Sequence, residues 1–217
     1  MPYAAYQFTN NEKIPAVVSL GKKQTPVWIQ QRWEEGEFAK YIRGNGCGHC
    51  CTAMAAQLHG VSIDPSQEYM LCRSLWGAPD EVNLFNWLSV AGITKILTHL
   101  HIPALCRDTL SQGVQNAAKD IVSALKDGKQ VIFVSTPDHF PDNPFSSGDH
   151  YVLAVGLTED GSILIANSSL RGSQTGIQHT DLATIEKALP PAGTAAPDKT
   201  WGEPAYQQAC YGYVIVG

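Results

Sequence analysis

The 217 residues are 44% hydrophobic and 16% charged with a net charge of −5, a balance that fits one folded domain, 1–217, and excludes a disordered chain. The 15 Lys and Arg are scattered, which argues against nucleic acid as a partner. No apolar run approaches the ~20 residues of a membrane-spanning helix.

The N-terminal residues MPYAAYQFTNNEKIPAVVSLGKK show no basic segment ahead of an apolar core, and Pro15 interrupts the short apolar stretch, so no secretory signal is read there. The compartment stays open between the cytoplasm and export with a signal removed. From about 48 to 60 the spacing predicts a helix with Gly60 as C-cap, and Asp64-Pro65 opens a second, with Asp64 as N-cap. EVNLFNWLSVAG reads as a third helix ending at Gly92, and DIVSALKD (120–127) as an amphipathic helix stopped by Gly128. Then the pattern changes. QVIFVST (130–136), HYVLAVGLT (150–158), SILIANSS (162–169) and CYGYVIVG (210–217) read as strands, with Glu159-Asp160-Gly161 turning a hairpin between the second and third. LPPAGTAAPDKTWGEPA (189–205) reads as a long loop. A helical first half and an antiparallel sheet in the second predict an α+β domain.

Six cysteines stand at 47, 50, 51, 72, 106 and 210, and Cys72 and Cys106 sit among apolar neighbours as expected of buried thiols. Cys47-Gly-His-Cys50 matches a redox dithiol in its four letters, but a polar, Gly-rich stretch precedes it where a strand is needed, and Cys51 follows at once. A zinc site would need a second ligand pair. His99 and His101, read as a His-x-His on a strand, are equally well explained by exposure or packing. No metal or organic cofactor is implied.

Gly46-Cys47-Gly48 suits a nucleophile better. A thiol at a helix N-terminus gains from the dipole as thiolate, typically with a pKa of roughly 3.5–7.5, and flanking glycines leave its main chain uncovered. A base should come from far along the chain. His150 starts a strand after Ser146-Ser147-Gly148-Asp149, and the hairpin would bring Asn167 across from it to orient the ring. The ordinary alternatives are a buried thiol at 47, a satisfied strand-edge histidine at 150 and an Asx-turn former at 167.

The string GCGHCCTAM resembles the nucleophile helix of the papain-like cysteine peptidases related to bacteriocin-leader (double-glycine) processing domains, and more closely their free-standing bacterial relatives. SGDHYVLAVGLTEDGSILIANSS is similar to the same family's His-bearing segment, and the likeness spans about residues 28–217. It implies a papain-like fold with Cys47 as nucleophile, His150 as general base and Asn167 as orienting residue. It also implies an oxyanion-hole Gln in VWIQQRW, Gln31 in preference to Gln30. Strict papain spacing points instead to position 41, which is Tyr41. The chain departs from the family at His49, where Pro is usual, and at Cys50 and Cys51, where small hydroxylic residues are usual. The implied activity is a peptidase or amide hydrolase acting through an acyl-enzyme, with a peptide or amide as substrate. The rival readings are a non-catalytic peptide-binding module of the same fold and the dithiol oxidoreductase. Transfer as against hydrolysis, the roles of Cys50 and Cys51, and the oligomeric state stay open.

Overall fold

The computed structural model describes residues 29, 39–76, 88–137, 140–169, 177–191 and 211–217. In chain order these form α1 (Ala39–Asn45), α2 (Cys47–Leu58), α3 (Pro65–Trp76), α4 (Val90–His99), β1 (Ala104–Asp108), α5 (Thr109–Gln112), α6 (Val114–Lys126), β2 (Gln130–Ser135), β3 (His150–Leu157), β4 (Ile163–Ala166), β5 (Ile177–Thr180), α7 (Leu182–Ala188) and β6 (Gly212–Val216). The fold is α+β. The described strands make one sheet of six in the order β1-β6-β2-β3-β4-β5, every pairing antiparallel.

Both faces of this sheet are covered, which is why its central strands read as unbroken apolar runs rather than alternating ones. Ile132, Leu153, Val155, Leu164 and Val214 face one core with α2, α3 and α4. Val131, Phe133, Val152, Ala154, Ile165 and Ile215 face the other, with α6 and α7. Caps set several boundaries. Asp64 Oδ1 accepts from Gln67 N at 2.7 Å while Gln67 Oε1 accepts from Asp64 N at 3.1 Å, a reciprocal cap at the start of α3. Gly60, Gly128 and Gly161 take left-handed φ of 84°, 78° and 84° where α2, α6 and the hairpin turn require it.

Three expectations are corrected. Gly92 does not end a helix: Ser89 Oγ accepts from its N–H at 3.0 Å, so it lies in the first turn of α4, while residues 81–87 of that expected helix fall outside the described residues. His99 and His101 are not on a strand. His99 ends α4 and His101 follows with φ 58°, both exposed. Cys106 is half-buried on the edge strand β1, whereas Cys72 is buried as expected. Most of the 189–205 loop, and Cys210, also fall outside the described residues.

The hairpin of β3 and β4 contains a one-residue irregularity that matters for the site. Leu157 pairs with Ile163 and Gly156 with Leu164, but Ala154 then pairs with Ile165 and Leu153 with Ala166. The extra residue, Val155, shifts the register by one. Without it, Asn167 would continue β4 opposite Leu153, on the wrong face. With it, Asn167 lies on the same face as Val152 and His150.

Candidate active site

Cys47 is the first residue of α2, and the approach of α1 makes Gly46 obligatory before it. A Cβ on Gly46 would stand 2.6 Å from Ile42 Cα and 2.7 Å from Ile42 O. Gly48 is buried too, its missing Cβ facing the Tyr151 ring at 3.3 Å and Leu88 at 3.4 Å. The glycines thus serve close packing of helix on helix and helix on sheet, not an uncovered main chain. Cys50 and Cys51 are fully buried in the core between α2 and the sheet.

Cys47 keeps partial exposure at the point where α2 meets the start of β3, and its Sγ accepts from Tyr151 N at 3.4 Å. The sulfur therefore lies against the peptide joining Tyr151 to His150. His150 is 5% exposed, and its Nε2 is 2.9 Å from Oδ1 of the fully buried Asn167.

The orientation of that contact follows from acceptors that have no alternative. Backbone carbonyls only accept. Gln178 Nε2 donates to Pro144 O at 3.0 Å, so its Oε1 faces Asn167 and accepts from Nδ2 at 2.9 Å. Asn167 Nδ2 also donates to Phe145 O at 2.8 Å, while Ser169 N donates to Asn167 Oδ1 at 3.0 Å. Oδ1 must then be the atom facing the imidazole, and Nε2 must carry its hydrogen. In the neutral ring Nδ1 is left as the basic nitrogen. The loop supplying these carbonyls is itself held. Asn143 Nδ2 donates to Ser135 Oγ and Thr136 O at 2.7 and 2.9 Å, and Phe145 packs edge-on against Phe133. At the other end of the loop, Tyr211 Oη donates to Asp149 at 3.0 Å.

Burial governs the protons. It pushes the Cys47 thiol up, against the N–H groups of Tyr151 and Gly48, the charge of His49 and its own N–H, which all pull it down. It lowers His150 to about 4, which the hydrogen bond to Asn167 only partly offsets. Both directions favour the neutral thiol and the neutral imidazole. The low thiol pKa expected from the helix N-terminus is therefore reversed, because desolvation outweighs the dipole and the local N–H donors.

Of the residues read from the sequence, His150 and Asn167 are joined by a hydrogen bond, and Cys47 lies against the backbone N–H of Tyr151, the residue after His150. Gln30 and Gln31 lie outside the described residues, although their neighbour Ile29 is buried and its N–H donates to Met54 Sδ of α2 at 3.2 Å. Tyr41 lies within α1. Gln178, Ser169 and the Phe145 carbonyl were not read from the sequence. Polar residues in a short strand and a turn give no sign that they meet Asn167. Among the described residues, no group of three or more His, Cys, Asp or Glu side chains is placed to hold a metal ion, and no helix is long and apolar enough to cross a membrane.

Residues 23–196 match the model of the Peptidase_C39 like family. The chain belongs to that family. Membership relates it to the papain-like cysteine peptidases and carries a peptidase function at family level. A crystal structure from Bacillus anthracis, described as a C39-like peptidase, is similar in fold, with a TM-score of 0.52 at 13% identity over 88% of this chain and 94% of that one. No curated protein matches the chain. The fold of this Peptidase_C39 like chain is thus papain-like, with a helical N-terminal half and α2 packed on a C-terminal antiparallel sheet.

Proposed function

We propose that the chain is a cysteine peptidase or amide hydrolase, one papain-like domain in which Cys47 is the nucleophile, His150 the general base and Asn167 the orienting residue. The observation that carries this reading is the meeting at the start of β3. The Cys47 sulfur lies 3.4 Å from Tyr151 N, one residue from a histidine whose Nε2 is fixed at 2.9 Å by Asn167.

The chemistry follows from the neutral pair. As the sulfur attacks a peptide carbonyl, the S–H proton passes to His150 Nδ1, and the new imidazolium keeps its Nε2–H on Asn167. The oxyanion is met by the Cys47 N–H and the Gln31 side chain. Collapse breaks the C–N bond as His150 returns its proton to the leaving amine, giving a thioester. Water then attacks the thioester, losing its proton to His150, and the C–S bond breaks as that proton returns to the Cys47 sulfur and the carboxylic acid leaves. An amine in place of water would make the same site a transferase.

The test is labelling with an epoxide-warhead inhibitor, followed by profiling against a peptide library. Label on Cys47 together with peptide cleavage, both absent from Cys47→Ala, supports the reading. Peptide binding without cleavage would favour the binding module, and activity that depends on Cys50 would favour the dithiol.

A further inference from the structure

Two residues after Cys47 on α2, His49 meets Glu68 of α3 directly through Nδ1 and Oε2. The two side chains are 1% and 0% exposed. Residues two apart on a helix point to different sides. Accordingly Cys47 reaches β3 while His49 reaches α3, where the Tyr69 ring stands edge-on to it at 5.5 Å. The first turn of α2 is thereby gripped from both sides.

A buried ion-paired carboxylate is a poor source of stability, since an apolar pair of similar volume often serves as well. A pair whose histidine stands one residue beyond Gly48 therefore calls for another role. We propose that His49 and Glu68 are a positioning pair for Cys47: they lock the first turn of α2 to α3 and hold a shared proton two residues beyond it, favouring the thiolate that forms during attack. The inference rests on Cys47 being the nucleophile and adds what sets its readiness to react.

The polarity is right for this role. With the proton on His49, the positive end of the pair lies on the helix that bears Cys47 and the negative end lies beyond it on α3. The His49 charge draws the Cys47 thiol down. Burial raises the Glu68 carboxyl, and the imidazole beside it pulls it back. His150 cannot supply the same charge at rest, being held by a neutral amide.

The other titratable groups around the pair are on α1 to α4 and β3. On α3 they are Tyr69, Cys72, which feels the Glu68 charge, and Arg73, whose guanidinium lies 5.9 Å over the Tyr69 ring. Lys95 of α4 acts on Cys72. Cys47, Cys50 and Cys51 share α2, Asp64 caps α3 one turn before Glu68, Arg43 of α1 is exposed, and His150 stands at the start of β3.

The experiment follows iodoacetamide alkylation of Cys47 against pH, resolved by peptide mass spectrometry so that other thiols do not contribute. It compares the native chain with Glu68→Gln and with the apolar double variant His49→Met, Glu68→Leu. The midpoint is expected to rise by about one pH unit in both, which makes alkylation about tenfold slower at pH 7. A purely structural pair would lower the Tm of Glu68→Gln and leave every midpoint where it was. An unmoved or lowered midpoint overturns the proposal. Glu68→Gln, nearly isosteric, decides it alone if the double variant does not fold. Were only the peptidase reading wrong, cleavage would be missing from every form while the midpoint still moved.

Discussion

Two buried histidines, one in the first turn of α2 and one at the start of β3, are each held by a different kind of partner. His150, at the start of β3, bonds the amide of Asn167, whereas His49 bonds the carboxylate of Glu68. Both sites are buried. An amide cannot ionise, so burial acts on His150 unopposed by charge and lowers it to about 4. That leaves a neutral ring free to gain a proton. At His49 the partner is a carboxylate, which burial raises and the imidazole beside it pulls back. One ring faces a neutral amide and the other a carboxylate.

Replacing the first of them tests the contrast most severely. His150→Gln is expected to lower kcat/KM by roughly 10⁴-fold or more, since loss of a base that acts as a unit with its nucleophile removes most of the rate enhancement. Steady-state cleavage of a profiled peptide measures it, and a loss under tenfold would show that another group takes the proton.

Stability against pH gives the next effect. The folded pKa of His150, about 4, lies below its ordinary 6.5. The unfolded chain therefore binds more protons between those values, so stability is fully present above pH 6.5 and lost as pH falls through 4. The loss is about 3 kcal/mol at most. Denaturant unfolding at pH 7 and pH 4 should show it, and His150→Gln should flatten the difference by that amount.

The smallest effect concerns the orienting amide. Gln178→Ala removes an acceptor of Asn167 Nδ2 and leaves the Phe145 carbonyl in place. It is expected to cost about 1 kcal/mol of stability and to lower kcat with KM unchanged. Unchanged kcat would mean that the amide is held without the Gln178 bond.

Much of the fold was legible locally. Asp64 and Gln67 cap a helix whatever surrounds them, and Gly161 turns a hairpin because a left-handed residue is needed there. Apolar runs such as QVIFVS marked strands covered on both faces. Edge elements were not legible: β1 and β5 carry mixed residues, because an edge strand has only one neighbour and fewer constraints. Glu68 looked like an ordinary acidic residue in a first helical turn, and nothing in its neighbours announces that α3 turns it inward against His49.

The sequence by itself determined where a thiol begins a helix, where a histidine begins a strand, and that an asparagine closes the next one, because short-range geometry and turn chemistry act over a few residues. Tertiary structure alone decided whether these side chains meet. The added residue at Val155 turns Asn167 to the His150 face, and no pattern of residue types distinguishes a regular hairpin from a bulged one there. The protons were decided the same way: the thiol rises and the imidazole falls because α2 is pressed against the sheet, a desolvation that depends on packing and not on the letters around Cys47.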